Sequence, residues 1–319
     1  VWQIKDMRTE VRRALNFQAL VIASQGSEAK AIMAYNQAVK EFDTSDDISV
    51  EIGRYSALLG VTPLVLTNAY LKCRPAFEKI PDDVNILTWE DGGWPKQTRD
   101  CPYCPRFLFT KGDVSLLGRM TVAVAGTRNP SQEGKDLCMR TVGALGRKGI
   151  VCASGMDVGI EGVSHLASLK EGWPTLAVLG TDVLSAYPEQ HAPLQQSIAG
   201  QGLLVSRFSP ALSLQKWFQI LQNRLLCSLS VATVVIEERD GGGAVSQANF
   251  AVESGRTVFL FRKTVDNNAL LWPRKLADDP GVVVVKEPEE IVRFLMPKKP
   301  AVRKKTAVKS ADDGQLALF

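Results

Sequence analysis

Glycine and small polar residues gather in four short stretches, each directly after a run of β-branched and apolar residues. They are Gly126-Thr127-Arg128-Asn129-Pro130-Ser131, Ser154-Gly155-Met156-Asp157-Val158-Gly159-Ile160-Glu161, Leu179-Gly180-Thr181-Asp182, and Glu237-Glu238-Arg239-Asp240-Gly241-Gly242-Gly243-Ala244-Val245-Ser246. Glycine lets backbone N–H groups close around a ligand, a following helix presents unpaired N–H groups to an anion, and Arg128 and Ser131 add side-chain donors. That combination suits phosphate recognition. The dinucleotide pattern G-x-G-x-x-G is missing after the first run, as is the lysine of the nucleotide-triphosphate loop, so a standard NAD enzyme and a P-loop ATPase do not fit.

Residues for acid–base or nucleophilic work are sparse. His165 and His191 are the two histidines, and no serine nucleophile motif accompanies them, which argues against a catalytic triad. His165 follows the second glycine stretch by one helical turn and reads as a packed, hydrogen-bonded ring. Cys101-Pro102-Tyr103-Cys104 has the spacing of half a zinc ribbon and Cys73 lies upstream, but a structural zinc needs four ligands and no second pair occurs nearby. No catalytic residue, metal or cofactor is therefore assigned.

The elements that must hold these stretches are legible from periodicity. Thr121–Ala125, Ile150–Ala153, Thr175–Leu179, Gly202–Val205, Ala232–Ile236 and Thr257–Phe261 are short and apolar on both faces, and they alternate with helical patterns over 132–147, 158–171, 213–228 and 244–254. This predicts a doubly wound α/β domain with a mostly parallel, Rossmann-like sheet over 119–296, with Val282–Val285 as a further strand and Pro288–Leu295 as a closing helix. Ligands of such sheets sit beyond the carboxyl ends of the strands, where the glycine stretches fall.

Residues 1–75 predict a small helical domain. Within it, Ile52–Leu59, Gly60, Thr62 as N-cap and Pro63 as first helical residue read as a helical hairpin or a helix-turn-helix-like unit, the hairpin being favoured because the second helix offers only Thr67 and Asn68 for reading bases. Residues 76–118, rich in Pro, Gly and Trp, read as a connecting segment.

The chain has 319 residues, 45% of them apolar and 23% charged, and no apolar run approaches the roughly 18 residues that cross a bilayer. Six cysteines at low density suit thiols in a reducing cytosol. Six basic residues and two acidic ones between Lys298 and Phe319 account for the entire net charge of +4, so residues 1–297 are neutral and any nucleic-acid site must be a local patch. The basic stretch 297–314 cannot form a core and reads as a disordered linker. It leads to Gln315-Leu316-Ala317-Leu318-Phe319, which looks like the Q-L-x-L-F peptide that docks bacterial replication and repair proteins on the sliding clamp. Its leucines and terminal aromatic would fill an apolar groove while the glutamine hydrogen-bonds at the edge.

Six blocks in order between about 106 and 295 resemble the DprA/Smf family of DNA-processing proteins. They are Gly126-Thr127-Arg128 with Pro130-Ser131; Ser154-Gly155-Met156 with Gly159-Ile160 and His165; Leu179-Gly180-Thr181 with Tyr187-Pro188; Asn223-Arg224 with Leu229-Ser230; Gly242 with Ser246; and Glu253-x-Gly255-Arg256. The resemblance implies an extended Rossmann domain that binds single-stranded DNA, dimerises, and hands the strand to a RecA-type recombinase during uptake of transforming DNA. On this reading Gly126, Thr127, Arg128, Ser131, Ser154, Gly155, Gly159, Asn223, Arg224, Gly241, Gly242, Gly243 and Ser246 are the phosphate-binding set, in a cytoplasmic, non-enzymatic protein with no membrane partner. Departures from the family pattern at Glu161, His191, Arg207, Gln222, Gly241 and Arg262-Lys263 mark a divergent branch.

Two other functions are compatible with the glycine stretches. One is a nucleotide-sensing Rossmann module in a defence system. The other is a nucleoside-monophosphate phosphoribohydrolase, a class similar around the glycine loop; its P-G-G-x-G-T-x-x-E signature laid on Gly241-Gly242 meets Ala248 where the assisting glutamate should stand.

Overall fold

The computed structural model describes residues 7–101 and 104–297. Four helices open the chain: α1 (Thr9–Ala23), α2 (Glu28–Glu41), α3 (Ile52–Leu59) and α4 (Pro63–Phe77). The turn between α3 and α4 forms as its residues require, with Gly60 left-handed at φ 74° and the Thr62 hydroxyl accepting the Val65 N–H beside Pro63 at the helix start. Helix α4 lays Leu66, Ala69, Tyr70, Cys73 and Phe77 into the core, chiefly against α1 and less against α3. It runs past residue 75, since Pro75 falls in its last turns and the helix ends only at Phe77.

The segment 76–118, expected as a connector, contributes two strands, β1 (Val84–Thr88) and β2 (Phe107–Gly112). They pair antiparallel with each other, and β2 pairs antiparallel with β6 (Leu203–Ser206), far along the chain. Short runs set on either side of Gly92-Gly93 and Pro95 carry little period of their own; the partner strand supplies the specification.

The remaining strands are β3 (Thr121–Ala125), β4 (Val151–Ser154), β5 (Thr175–Val178), β7 (Ala232–Val235), β8 (Thr257–Phe261) and β9 (Val282–Val285). With the first two they make one sheet of order β1-β2-β6-β5-β4-β3-β7-β8-β9, parallel from β6 to β9. Every residue of β3 to β7 is buried, the mark of a sheet covered on both faces.

Among the described residues the remaining α-helices are α5 (Gln132–Gly146), α6 (Ile160–Lys170), α7 (Ala192–Gln201), α8 (Phe218–Leu229), α9 (Gly243–Glu253), α10 (Arg262–Val265), α11 (Trp272–Ala277) and α12 (Pro288–Leu295). Val122, Val124, Val234 and Phe259 pack under α5, α6 and α12, while Ala123, Val151, Val178 and Val205 meet Leu225, Leu226 and Leu229 of α8 on the other face. The N-terminal helices share a core with the sheet: Phe17 and Tyr35 meet Phe107 at ring distances of 5.2 and 5.7 Å.

Candidate functional site

Connections run in one direction from β3 through β6 and in the other from β7 to β9, so the sheet changes sense between β3 and β7. Loops that leave these two neighbours diverge to opposite faces and leave a crevice between them. Here the crevice is a cavity of about 230 Å³ bounded by Gly126–Asn129 after β3, by Asp157 and Glu161 after β4, by Gln219 and Asn223 of α8, and by Glu238, Arg239, Gly241–Ala244 and Gln247 after β7.

The loops interlock through backbone. The Thr127 N–H donates to the Glu237 carbonyl at 2.7 Å, and the Ile160 N–H to the Thr127 carbonyl at 3.1 Å. Gly159, with φ 85°, lies so close to Thr127 and Arg128 that a Cβ would strike their backbone. Glycine is demanded there twice over, by the left-handed dihedral and by the approach. Ser154, expected to face phosphate, is fully buried and spends its hydroxyl on the Val124 carbonyl at 2.6 Å. It therefore braces β4 against β3.

The crevice is less basic than its loops suggest. Arg128 is paired through Nε with the Asp157 carboxylate at 2.6 Å. Glu237 accepts the Ser131 N–H at 3.1 Å and its hydroxyl at 2.8 Å, while Ser131 in turn caps α5 by accepting the Gly134 N–H at 3.0 Å. Ser131 accordingly lines the neighbouring cleft beside Glu237 and α10. Glu238 accepts the Arg239 and Ala244 N–H groups at 2.9 and 3.1 Å, filling the N-terminus of α9 with a carboxylate. Glu161 accepts the Asp157 N–H at 2.8 Å, and its carboxyl is pushed up to about 7, first by burial and then by the neighbouring Asp157 and Glu238 charges, against the pull of that N–H and of Arg128.

Gly126, Thr127, Arg128, Asn223, Gly241, Gly242 and Gly243 of the expected set do come together in the crevice. Two others do not. Arg224 lies with its guanidinium 5.4 Å from the Phe250 ring, between α8 and α9, and Ser246 is exposed beyond the first residues of α9, where Gln247 instead turns inward. A period of 3.6 separates those neighbours: one residue along a helix rotates a side chain by about 100°. Asp157, Glu161, Gln219, Glu238, Arg239 and Gln247 are site residues that the motif reading passed over. The adjacent acids Glu237-Glu238 at a strand end were the available signal.

A second cavity of about 460 Å³ adjoins the first and shares Arg128, Asp157 and Gln219 with it. It is edged by Gly180, Thr181, Tyr187, Leu214, Gln215, Lys216 and Gln222. Tyr187 is 60% exposed; Trp217, the residue after Lys216, is 53% exposed and braced edge-on against Phe218, whose ring stacks on Phe208 at 4.1 Å. Gln222 donates to the Val178 carbonyl at 2.8 Å and so fixes α8 to β5.

His165 is fully buried, and burial with the nearby His191 lowers its ring to about 4, against the Gly155 carbonyl. Its Nε2 lies 2.8 Å from that carbonyl, which only accepts, so the neutral ring donates from Nε2 and leaves Nδ1 as acceptor 2.8 Å from the Thr175 hydroxyl. It holds the second glycine loop in place. His191 performs a similar service with Nδ1 2.8 Å from the Met156 carbonyl.

Cys73 belongs to the helical core, where burial raises its thiol to about 12, while Cys104 packs in a separate cluster beside Trp94. The three cysteines are thus not brought to one point, and no group of three or more metal-ligating side chains occurs among the described residues. The peptide Gln315, Leu316, Leu318, Phe319 and its linker from 298 lie outside the described residues. No helix among the described residues is long and apolar enough to cross a membrane.

Residues 85–296 match the family model described as DNA recombination-mediator protein A. The chain is 35% identical over 156 residues to the DNA processing protein DprA of Bacillus subtilis, covering 49% of this chain and 52% of that one. It is 32% identical over 203 residues to protein Smf of Escherichia coli, covering 63% and 54%. The chain thus spans about half the length of these two relatives. Among solved structures, DNA processing protein A from Streptococcus pneumoniae superposes with a TM-score of 0.73 at 21% identity over 90% of this chain and 98% of that one. The protein of the same name from Helicobacter pylori, described for its single-stranded DNA binding mode, superposes at 0.59 with 22% identity over 66% and 95%.

Proposed function

The chain belongs to the DNA recombination-mediator protein A family, and from that premise we propose that it is a DNA-processing protein that binds single-stranded DNA across the two joined cavities, without chemical turnover. The observation that carries this reading is the continuity of a glycine-bounded crevice with an aromatic-edged one: Gly126, Thr127 and Gly241 to Gly243 line the first, Tyr187 the second, and Arg128 and Asp157 line both. A phosphodiester fits the first, and exposed rings of Tyr187 and Trp217 offer faces on which unpaired bases stack without regard to sequence. Duplex DNA keeps its bases inside the stack and would gain nothing from the rings.

Fluorescence anisotropy with single-stranded and duplex oligonucleotides over a salt series tests this. Tighter, salt-dependent binding of the single strand is expected, and equal binding of both forms would refute it. The small volume of the first cavity also favours a second reading, a sensor of free nucleotide in a cytoplasmic defence system; saturable mononucleotide binding without DNA affinity would select it. Delivery of the strand to a RecA-type recombinase, homodimerisation and tethering to the sliding clamp through Gln315–Phe319 are further parts of the proposal, supported by family membership and by the terminal peptide.

A further inference from the structure

We propose that the N-terminus of α9 is a phosphodiester site held in reserve by the chain's own carboxylate: Glu238 occupies the position of a DNA phosphate and must leave before the strand can settle. The inference rests on the single-strand reading of the crevice. Glu238 is 6% exposed, and both its oxygens are engaged by backbone, Oε1 by the Arg239 N–H at 2.9 Å and Oε2 by the Ala244 N–H at 3.1 Å. A Cβ on Gly242 would collide with the carboxylate, so the glycine makes room for an anion at this point.

A capping carboxylate alone would be ordinary helix chemistry. A second feature goes beyond it. Gln247, one turn into α9, is 2% exposed and lines the same crevice, yet its Nε2 has no hydrogen-bond partner among the described residues. A donor so buried calls for an acceptor, and Glu238 has already placed its two oxygens elsewhere. A phosphate group carries more acceptor oxygens than a carboxylate, enough to take the Ala244 N–H and the Gln247 amide together. The exposed Arg239 borders the same space, with Arg128 on the opposite wall.

The surroundings press the carboxylate to leave when a strand arrives. Asp157 and Glu161 line the crevice beside Glu238, so three acidic side chains share a space into which DNA brings more negative charge. Releasing Glu238 to solvent on the Arg239 side would lower that density and open the helix end to the phosphate. Glu238 thus sets a threshold: weak anions are turned away and a strand held at several other points can pay the displacement.

Glu238→Gln keeps an acceptor for the Ala244 N–H and removes the charge, whereas Glu238→Ala removes both. Single-stranded DNA affinity, its salt dependence and the melting temperature with and without inorganic phosphate are to be measured for wild type, both variants and the pair Glu238→Ala/Gln247→Leu. Binding at least about fivefold tighter in both single variants is expected, with a salt slope steeper by about 0.7, and loss of that gain in the pair. If the variants stay folded and bind no tighter, Glu238 is a helix cap only and the inference falls. Should Glu238→Ala unfold, Glu238→Gln decides alone. Should wild type bind no single strand at any salt, the functional reading fails by itself, and phosphate still separates the cases: it raises the melting temperature of Glu238→Gln above that of wild type, or it acts on both alike and the reserved site is refuted.

Discussion

Arg207 at the end of β6 and Glu28 at the start of α2 meet at 2.6 Å, joining the sheet to the helical domain across 179 positions of chain. The arginine side chain is almost wholly buried and the glutamate half-exposed. A second bond runs parallel to it, from the Ser209 hydroxyl to the Gln18 side chain at 2.8 Å. The helical domain is therefore held to the sheet by buried polar contacts as well as by Phe17, Tyr35 and Phe107.

Replacing Glu28 with alanine strips a buried cation of one partner. Breaking fully buried pairs costs about 3–5 kcal/mol; with Glu28 open to solvent, about 1–2 kcal/mol is expected here. Denaturant titration of Glu28→Ala checks it, and no change in midpoint would show that Arg207 is equally well served by its other neighbours.

Arg128→Ala should weaken binding of all single-stranded sequences and reduce the salt slope by about 0.7, the share of one phosphate contact. Arg224→Ala, whose side chain packs on Phe250 outside the crevice lining, should lower the melting temperature and leave the slope unchanged. Anisotropy at four salt concentrations separates the two; equal loss of slope would extend the contact surface onto α8.

Glu161 titrates near 7 in the fold against 4.5 for a free glutamate. The folded protein then binds a proton more readily than the unfolded chain, so this group's stabilisation is complete below about pH 4.5, declines as pH rises through 7, and stays flat above. Proton release also adds charge to the crevice, so single-strand affinity should fall between pH 6 and pH 8. Glu161→Gln should abolish both trends and bind at pH 8 as wild type does at pH 6; a retained pH dependence in that variant would assign it to other groups.

Tyr187→Ala and Trp217→Ala should each cost about 1–3 kcal/mol in single-strand affinity, the usual worth of a stacked base. An abasic oligonucleotide offers the control, since it should bind wild type and the two variants alike.

Deleting Gln315–Phe319 should abolish association with purified sliding clamp and leave oligonucleotide binding near wild type. Leu318 and Phe319 as anchors should each cost about 2 kcal/mol or more when truncated. Undiminished clamp binding by the shortened chain would remove the tether from the proposal.

The parallel strands were legible because each carries its own pattern: Thr121–Ala125 is apolar on both faces whatever lies next to it. Val84–Thr88 and Phe107–Gly112 were not, since Phe107–Gly112 is specified by Leu203–Ser206 about a hundred residues later and Val84–Thr88 only by Phe107–Gly112 in turn. The site divides in the same way. Glycines betray themselves through backbone demands that are local, as at Gly159 between Thr127 and Arg128. The acids do not, because Glu237 and Glu238 look alike in sequence and part company only when α5 and α9 arrive from opposite faces to claim one each.

The antiparallel pair at the sheet margin bears on how this protein can be dissected. A fragment starting at residue 119 would hold all the repeated strand–helix units. Yet β2 covers the outer side of β6 and brings Phe107 and Phe109 over it, so such a cut would bare a row of backbone donors and acceptors beside newly exposed apolar surface. Open margins of that kind recruit strands from other molecules. Soluble material should require a start before α1, and aggregation of a shorter piece would report on the missing margin rather than on the strand–helix units that remain.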